Sequence, residues 1–229
     1  MIMTAILSNL QAVHAAINQA ALMAQRDSAR ITLLAVSKTV PATVVREVYS
    51  AGQQAFGENF VQEALDKIHD LRDLPLQWHF IGPIQSNKTR AIAENFSWVH
   101  SVDRLKIAQR LSDQRPTNMP PLNVCLQINV SGESTMGGVA PDEAEALTHA
   151  IAILPRLKLR GLMAIPAPAE ELAVQRTSFA KMRKLLIGLN NTGLELDTLS
   201  IGMSHDLTAA IMEGATIVRV GTAIFGSRI

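Results

Sequence analysis

Cysteine is nearly absent from this chain of 229 residues: Cys125 stands alone, so no internal disulfide can form and packing must hold the fold together. A chain of this length can bury a large core without covalent staples. Aromatic residues make up only 4%, with a single tyrosine, Tyr49, against 48% hydrophobic residues in all, so an aliphatic interior is expected. Charge of one sign is not in excess. The 21 basic and 20 acidic side chains leave a formal net charge of +1, and no Lys/Arg tract is long enough to follow a phosphate backbone, so nucleic acid is not an expected partner. No apolar run reaches bilayer thickness, and no membrane association is expected. The first 25 residues lack a basic leader and are interrupted by Asn9, Gln11, His14, Asn18 and Gln19, unlike a secretion signal. Cys125, set in the apolar stretch Val124-Cys125-Leu126, reads as core packing in a reducing compartment, and a cytoplasmic protein is expected. The six histidines show no close spacing with acidic or cysteine partners, so no metal site is expected. No Pro/Gly/Ser-rich linker divides the chain, which reads as one domain over residues 1–229.

What is present is repetition. Near the N-terminus Ile6, Leu10, Val13 and Ile17 recur at helical spacing. Beyond them, apolar segments rich in β-branched residues alternate with segments of helical period. Strands are predicted over Ile31 to Ser37, Gln54 to Gly57, Gln77 to Ile81, Trp98 to Ser101, Asn123 to Asn129, Lys158 to Met163, Thr198 to Ile201 and Thr216 to Val220. Helices are predicted over Ala42 to Ala51, Asn59 to His69, Ser86 to Asn95, Arg104 to Asp113, Pro141 to Ile153, Leu172 to Asn190 and Ser204 to Glu213. Pro41 and Pro141 fall at helix starts, where a missing N–H costs little. Eight alternating units in one α/β domain of this length favour a closed (β/α)8 TIM-type barrel over an open doubly wound sheet. Only nine residues follow the eighth strand, so the extra N-terminal helix is expected to cover part of the gap.

In such a barrel the chemistry lies at the C-terminal strand ends, often with a phosphate site after strands seven and eight. Lys38 follows the first strand, Glu58-Asn59 the second, Gly202-Met203-Ser204 the seventh and Gly221-Thr222 the eighth. Ser204, as cap of the next helix, would leave free N–H groups for a phosphate. An amine able to capture a carbonyl, the guanidinium of Arg219 and glycine-rich backbone suit a cofactor such as pyridoxal 5'-phosphate. The amine must be neutral to attack an aldehyde, and burial beside Arg219 favours that state. Arg219 sits between Val218 and Val220 on a buried strand, where an unpaired cation would be expensive, so it reads as facing the cofactor more readily than as a structural ion pair. Asn59 reads equally as a helix N-cap or as a cofactor contact, and both can hold. His79 is either a satisfied core histidine or a neighbour of the cofactor ring, and Met163 is either core packing or a cofactor contact.

Six segments in order carry a resemblance. They are Leu34 to Thr39, Phe56 to Asn59, Trp78 to Lys88, Arg160 to Pro166, Ile201 to Asp206, and Val218 to Gly226. In these the chain resembles the pyridoxal phosphate homeostasis protein family over essentially its whole length. The resemblance implies a barrel like the N-terminal domain of alanine racemase, with pyridoxal 5'-phosphate held as a Schiff base on Lys38. It further implies Ser204, Gly221 and Thr222 at the phosphate, Arg219 at the pyridine nitrogen and Asn59 near the ring. Two departures stand out. Met136 occupies the position, in the loop after strand five, where the family often carries a lysine, and the chain stops at Ile229, short of the basic or aromatic tail of many relatives.

The resemblance and the residues together point to a non-catalytic cofactor-binding protein of vitamin B6 and amino-acid homeostasis, with PLP-dependent apoenzymes as possible recipients and a monomer as the expected state. The alternative is an amino-acid racemase. Two-base racemisation needs a proton donor and acceptor on opposite faces of the cofactor, supplied in the related racemases by a lysine and by a tyrosine from a second domain and subunit. Tyr49 is predicted to lie on the helix after strand one, facing away from the strand ends. Arg219, which holds its proton, also disfavours a protonated pyridine nitrogen and so weakens the electron sink. A Schiff-base aldolase would account for Lys38 and a phosphate site but not for Arg219.

Overall fold

Leu33, Leu34 and Ala35 are buried in succession, as a strand covered on both faces must be. The computed structural model describes residues 2–133 and 137–226, with side chains from residue 5 onward, so Met136 and the chain end at Ile229 lie outside the described residues. The strands are β1 (Thr32–Val36), β2 (Ala55–Glu58), β3 (Gln77–Phe80), β4 (Trp98–Val102), β5 (Leu122–Gln127), β6 (Leu157–Met163), β7 (Thr198–Ser200) and β8 (Ile217–Val220). They close in sequence order, and every neighbour pair is parallel. Closure is made by β1 against β8, in register from Thr32 opposite Ile217 to Ala35 opposite Val220.

The outer helices are α1 (Ile2–Met23), α2 (Ala42–Ser50), α3 (Val61–Asp70), α4 (Thr89–Asn95), α5 (Leu105–Gln114), α6 (Ala144–Ala152), α7 (Leu172–Asn190), α8 (Leu207–Met212) and α9 (Thr222–Phe225). The stripe Ile6, Leu10, Val13 and Ile17 of α1 is buried. Asn9 Nδ2 donates to the carbonyl of Ile224 at 3.1 Å, and Arg26 donates to the carbonyls of Ile211 and Ala215 at 2.7 Å each. The N-terminal helix thus covers the place beside α8 and α9 where the last full-length helix of an ordinary barrel would sit. A large apolar cluster fills the space between barrel and helices, while Leu34, Ala55 and Ile217, with Ile81 and Trp98, form a separate small cluster inside the barrel.

Two predicted helix starts are corrected. The N-cap of α3 is Phe60, so Asn59 does not cap it. A Cβ added at Gly82 would lie 2.3 Å from the carbonyl oxygen of Asn59, and this close backbone contact keeps Asn59 with the strand ends. The N-cap of α8 is Asp206 rather than Ser204. Asp206 Oδ1 accepts the N–H of Met203 at 2.5 Å, which folds the intervening residues into a turn and delays the helix to Leu207.

Candidate functional site

The C-terminal strand ends gather most of the residues singled out in the sequence. Lys38 stands two residues past β1 and is half-buried. Gly221, at the adjacent end of β8, lies so close to β1 that an added Cβ would meet the carbonyl oxygen of Val36 at 3.2 Å. Thr222 opens α9, and the N–H of Ala223 donates to Ser204 Oγ at 3.4 Å, joining the loops after β7 and β8. Asn59 follows β2, and its Oδ1 is buried with no hydrogen-bond partner among the described residues. Met163 ends β6, fully buried yet part of neither apolar cluster.

Beneath Lys38 lies a buried ionic cluster on the helix side of the barrel. Lys67 of α3 donates to Glu58 at 2.8 Å, to Glu63 at 2.6 Å and to the carbonyl of Ser37 at 2.6 Å. Ser37 Oγ donates to Glu58 at 2.6 Å, and the N–H of Thr39 donates to Glu63 at 2.5 Å. Thr39 has φ of 65°, a left-handed conformation that costs a β-branched residue about 1–2 kcal/mol. Both residues flanking Lys38 are therefore pinned by α3. Burial pushes the Glu58 carboxyl above its ordinary range, outweighing the hydrogen bonds from Lys67 and Ser37.

A second polar system crosses the lumen. Arg219, almost fully buried, donates through Nη1 to the carbonyl of Ser200 and to Ser200 Oγ at 2.8 Å, and through Nη2 to the carbonyl of Ala164 at 3.0 Å. Ser200 Oγ is 2.7 Å from His100 Nδ1, whose Nε2 is 2.9 Å from His79 Nδ1. Strands β4 and β7 are not neighbours, so the His100–Ser200 contact passes through the barrel interior. The His79 ring stacks on Trp98, with centroids 5.4 Å apart and planes at 4°, and Arg160, paired with Asp197 at 2.7 Å, lies over the same indole. His79 is thus linked to Arg219 through His100 and Ser200. Burial lowers Arg219 to about 10, still a cation near neutrality, and lowers His79 to about 3. His100 is also pushed well below its ordinary value, by burial first and then by His79 and Arg219.

The sequence reading missed Ser37, Glu63, Lys67, His100 and Ser200 as parts of the site. One signal was available for Lys67: Ala64 and Lys67 of α3 and Leu71, its C-cap, recur at helical spacing and are buried, so this lysine occupies an apolar position. His100 alternates with Trp98 on the same strand face, but no local pattern indicates that Ser200 is its partner.

An eight-stranded parallel barrel with an amine on one strand end and a held guanidinium two residues before a glycine turn is of the alanine racemase N-terminal type. Residues 6–229 match the family described as alanine racemase, N-terminal domain. The alanine racemase of Corynebacterium glutamicum shares this fold at a TM-score of 0.72 and 21% identity, and the chain covers 62% of its length. Nearer relatives are full-length. The pyridoxal phosphate homeostasis protein of Pseudomonas aeruginosa is 63% identical over 226 residues, 99% of this chain and 97% of the relative. PipY of Synechococcus elongatus PCC7942, a structure with PLP bound, superposes at a TM-score of 0.84 with 38% identity, covering 96% of this chain and 100% of that one. The chain belongs to the pyridoxal phosphate homeostasis protein family. Among the described residues no helix is long and apolar enough to cross a membrane, and no group of side chains is arranged to hold a metal ion.

Proposed function

We propose that this chain is one barrel domain that binds pyridoxal 5'-phosphate in intracellular vitamin B6 and amino-acid homeostasis, without a turnover reaction of its own. The observation that carries the reading is the close approach of Gly221, at the end of β8, to Val36 at the adjacent end of β1, which brings the segment carrying Lys38 beside the strand that holds the buried Arg219. The residues present fit the cofactor. Lys38 supplies the amine for covalent attachment, and Ser204, Gly221 and Thr222 line the phosphate end. Arg219 faces the pyridine nitrogen with the two N–H donors left after its bonds to Ser200 and Ala164. The orphaned Oδ1 of Asn59 offers a polar contact beside the ring, with Met163 at its edge. Bound cofactor supplies an aldehyde in reversible covalent linkage, which suits storage and hand-over to PLP-dependent apoenzymes. A cytoplasmic monomer is the state we assign.

The racemase alternative needs a second base opposite Lys38, and the single tyrosine of the sequence is not placed to supply it. Tyr49 is the penultimate residue of α2, and a helix that returns after β1 carries that end to the opposite side of the barrel from Lys38. The test is borohydride reduction of the protein loaded with pyridoxal 5'-phosphate, followed by peptide mapping. The label is expected on the peptide carrying Lys38 and absent in Lys38→Ala; labelling elsewhere, or unchanged labelling of the variant, contradicts the assignment. Saturable loss of an α-deuteron from a labelled amino acid, abolished in Lys38→Ala, would establish catalysis and overturn the binding role.

A further inference from the structure

The chain Arg219–Ser200–His100–His79 has a direction that hydrogen-bond bookkeeping can decide. Arg219 is a donor only, so Ser200 Oγ accepts from it. Two buried imidazoles 2.9 Å apart beside a guanidinium are both neutral, because a further positive charge there would face Arg219 and, among the described residues, no carboxylate is hydrogen-bonded to either ring. Each ring therefore has one N–H and one acceptor nitrogen. In one polarity the Ser200 hydroxyl donates to His100 Nδ1, His100 Nε2–H donates to His79 Nδ1, and only His79 Nε2–H is left over. In the other, His100 Nδ1–H donates to Ser200 Oγ and His79 Nδ1–H to His100. The Ser200 hydroxyl hydrogen and the His79 Nε2 lone pair are then both left over. Among the described residues, Ser200 Oγ has no third partner and His79 Nε2 has none beyond the ring pair. The first polarity leaves one buried group unmatched instead of two, and each such group carries its full desolvation penalty.

We infer that His100 is a positioning residue for Arg219: by accepting the Ser200 hydroxyl hydrogen it turns the oxygen lone pairs toward the guanidinium and fixes which Arg219 donors face the ligand. His79 completes the device by holding His100 in the tautomer that leaves Nδ1 free to accept. Two aromatic contacts keep the rings in place, since His79 stacks on Trp98 and His100 lies 5.7 Å from the same indole. This role rests on the cofactor-binding reading only for its consequence; the hydrogen-bond polarity belongs to the protein alone.

The two are tested separately. In the full-length cofactor-free protein labelled with nitrogen-15 at histidine, long-range proton–nitrogen correlation is expected to show both His79 and His100 as neutral Nε2–H tautomers. Nδ1–H on either ring overturns the polarity whether or not the cofactor binds. The affinity for pyridoxal 5'-phosphate is then compared in five proteins: the natural chain, His100→Leu, His100→Asn, Ser200→Ala, and Ser200→Ala with His100→Leu. Leucine removes the acceptor, so His100→Leu is expected to lose about tenfold, as Ser200→Ala does, whereas asparagine keeps an acceptor near the place of Nδ1 and His100→Asn is expected to stay within about threefold of the natural chain. Once Ser200 is alanine, His100→Leu is expected to add nothing further. Full additivity of His100→Leu and Ser200→Ala, or a loss in His100→Asn as large as in His100→Leu, overturns the positioning role. If the natural chain does not take up the cofactor, it is the binding reading that fails, and the tautomer measurement still decides the relay.

Discussion

The ammonium of Lys67 lies 2.6 Å from the carbonyl oxygen of Ser37, the residue immediately before Lys38. The same ammonium lies 2.8 Å from the fully buried carboxylate of Glu58, so one side chain both compensates a buried charge and anchors the segment carrying the candidate attachment lysine. An isolated surface pair would contribute little; this one is out of solvent, where removal of one partner strands the other.

Lys67→Met is therefore expected to destabilise the protein by about 3–5 kcal/mol in urea unfolding, because it leaves Glu58 without its counter-ion. Combining it with Glu58→Gln should recover part of the loss. A single variant within 0.5 kcal/mol or so of the natural chain, the range of ordinary surface changes, would refute the role assigned to the pair.

Stability should fall on acidification below the ordinary histidine range. His79 and His100 have lowered values in the folded state, so the unfolded chain takes up their protons from about pH 6.5 downward while folded His79 resists to about 3. Each fully unmatched proton contributes a slope of about 1.4 kcal/mol per pH unit, with stability present above pH 6.5 and lost toward pH 3. Glu58 acts in the opposite sense. Its raised value means that ionisation, as pH rises above 4.5, subtracts stability. Urea midpoints between pH 4 and 7 should show a shallower acid limb in His79→Gln and a steeper net limb in Glu58→Gln; unchanged slopes in both would contradict these assignments.

Gly202 has φ of 91°, and an added Cβ would lie 2.5 Å from the Cβ of Ala210. Gly202→Ala should cost about 1–2 kcal/mol in backbone strain and about 1–3 more in overpacking, measurable by thermal or urea unfolding. The same change should displace the turn carrying Ser204 and weaken retention of pyridoxal 5'-phosphate more than that of pyridoxal. Equal loss for the two ligands would remove Ser204 from the phosphate.

Cys125 is fully buried, and desolvation pushes its thiol up to about 12. A thiol-specific reagent at pH 8 is expected to leave the native protein unmodified over hours and to react stoichiometrically once urea unfolds it. Rapid native-state modification would place the thiol in an accessible, electropositive setting that its strand does not provide.

Local periodicity determined most of the fold. Burial on both faces of Leu33 to Ala35, the helical stripe Ile6 to Ile17, and eight evenly spaced apolar segments each report which surface of a short element must leave water, and that information is carried by residues within one or two turns of each other. The placement of Lys38, Arg219, Gly221 and Thr222 at strand ends followed from the same spacing. Helix starts were less legible, because Asn59 and Ser204 have the side chains of N-caps. The tertiary approach of Gly82 to Asn59, and the local bond from the Met203 N–H to Asp206, decide that they do not serve as caps here.

What the tertiary structure alone decided is where buried polar groups find partners. His100 and Ser200 are 100 positions apart on strands that do not pair, and Lys67 reaches Ser37 across 30 positions from the helix that follows β2. A buried donor or acceptor must be satisfied by whatever lies within about 3 Å, irrespective of sequence separation. Barrel closure brings β4 opposite β7 and lays α3 over the ends of β1 and β2, and it thereby turns residues that read separately as core or surface into the supports of Arg219 and Lys38.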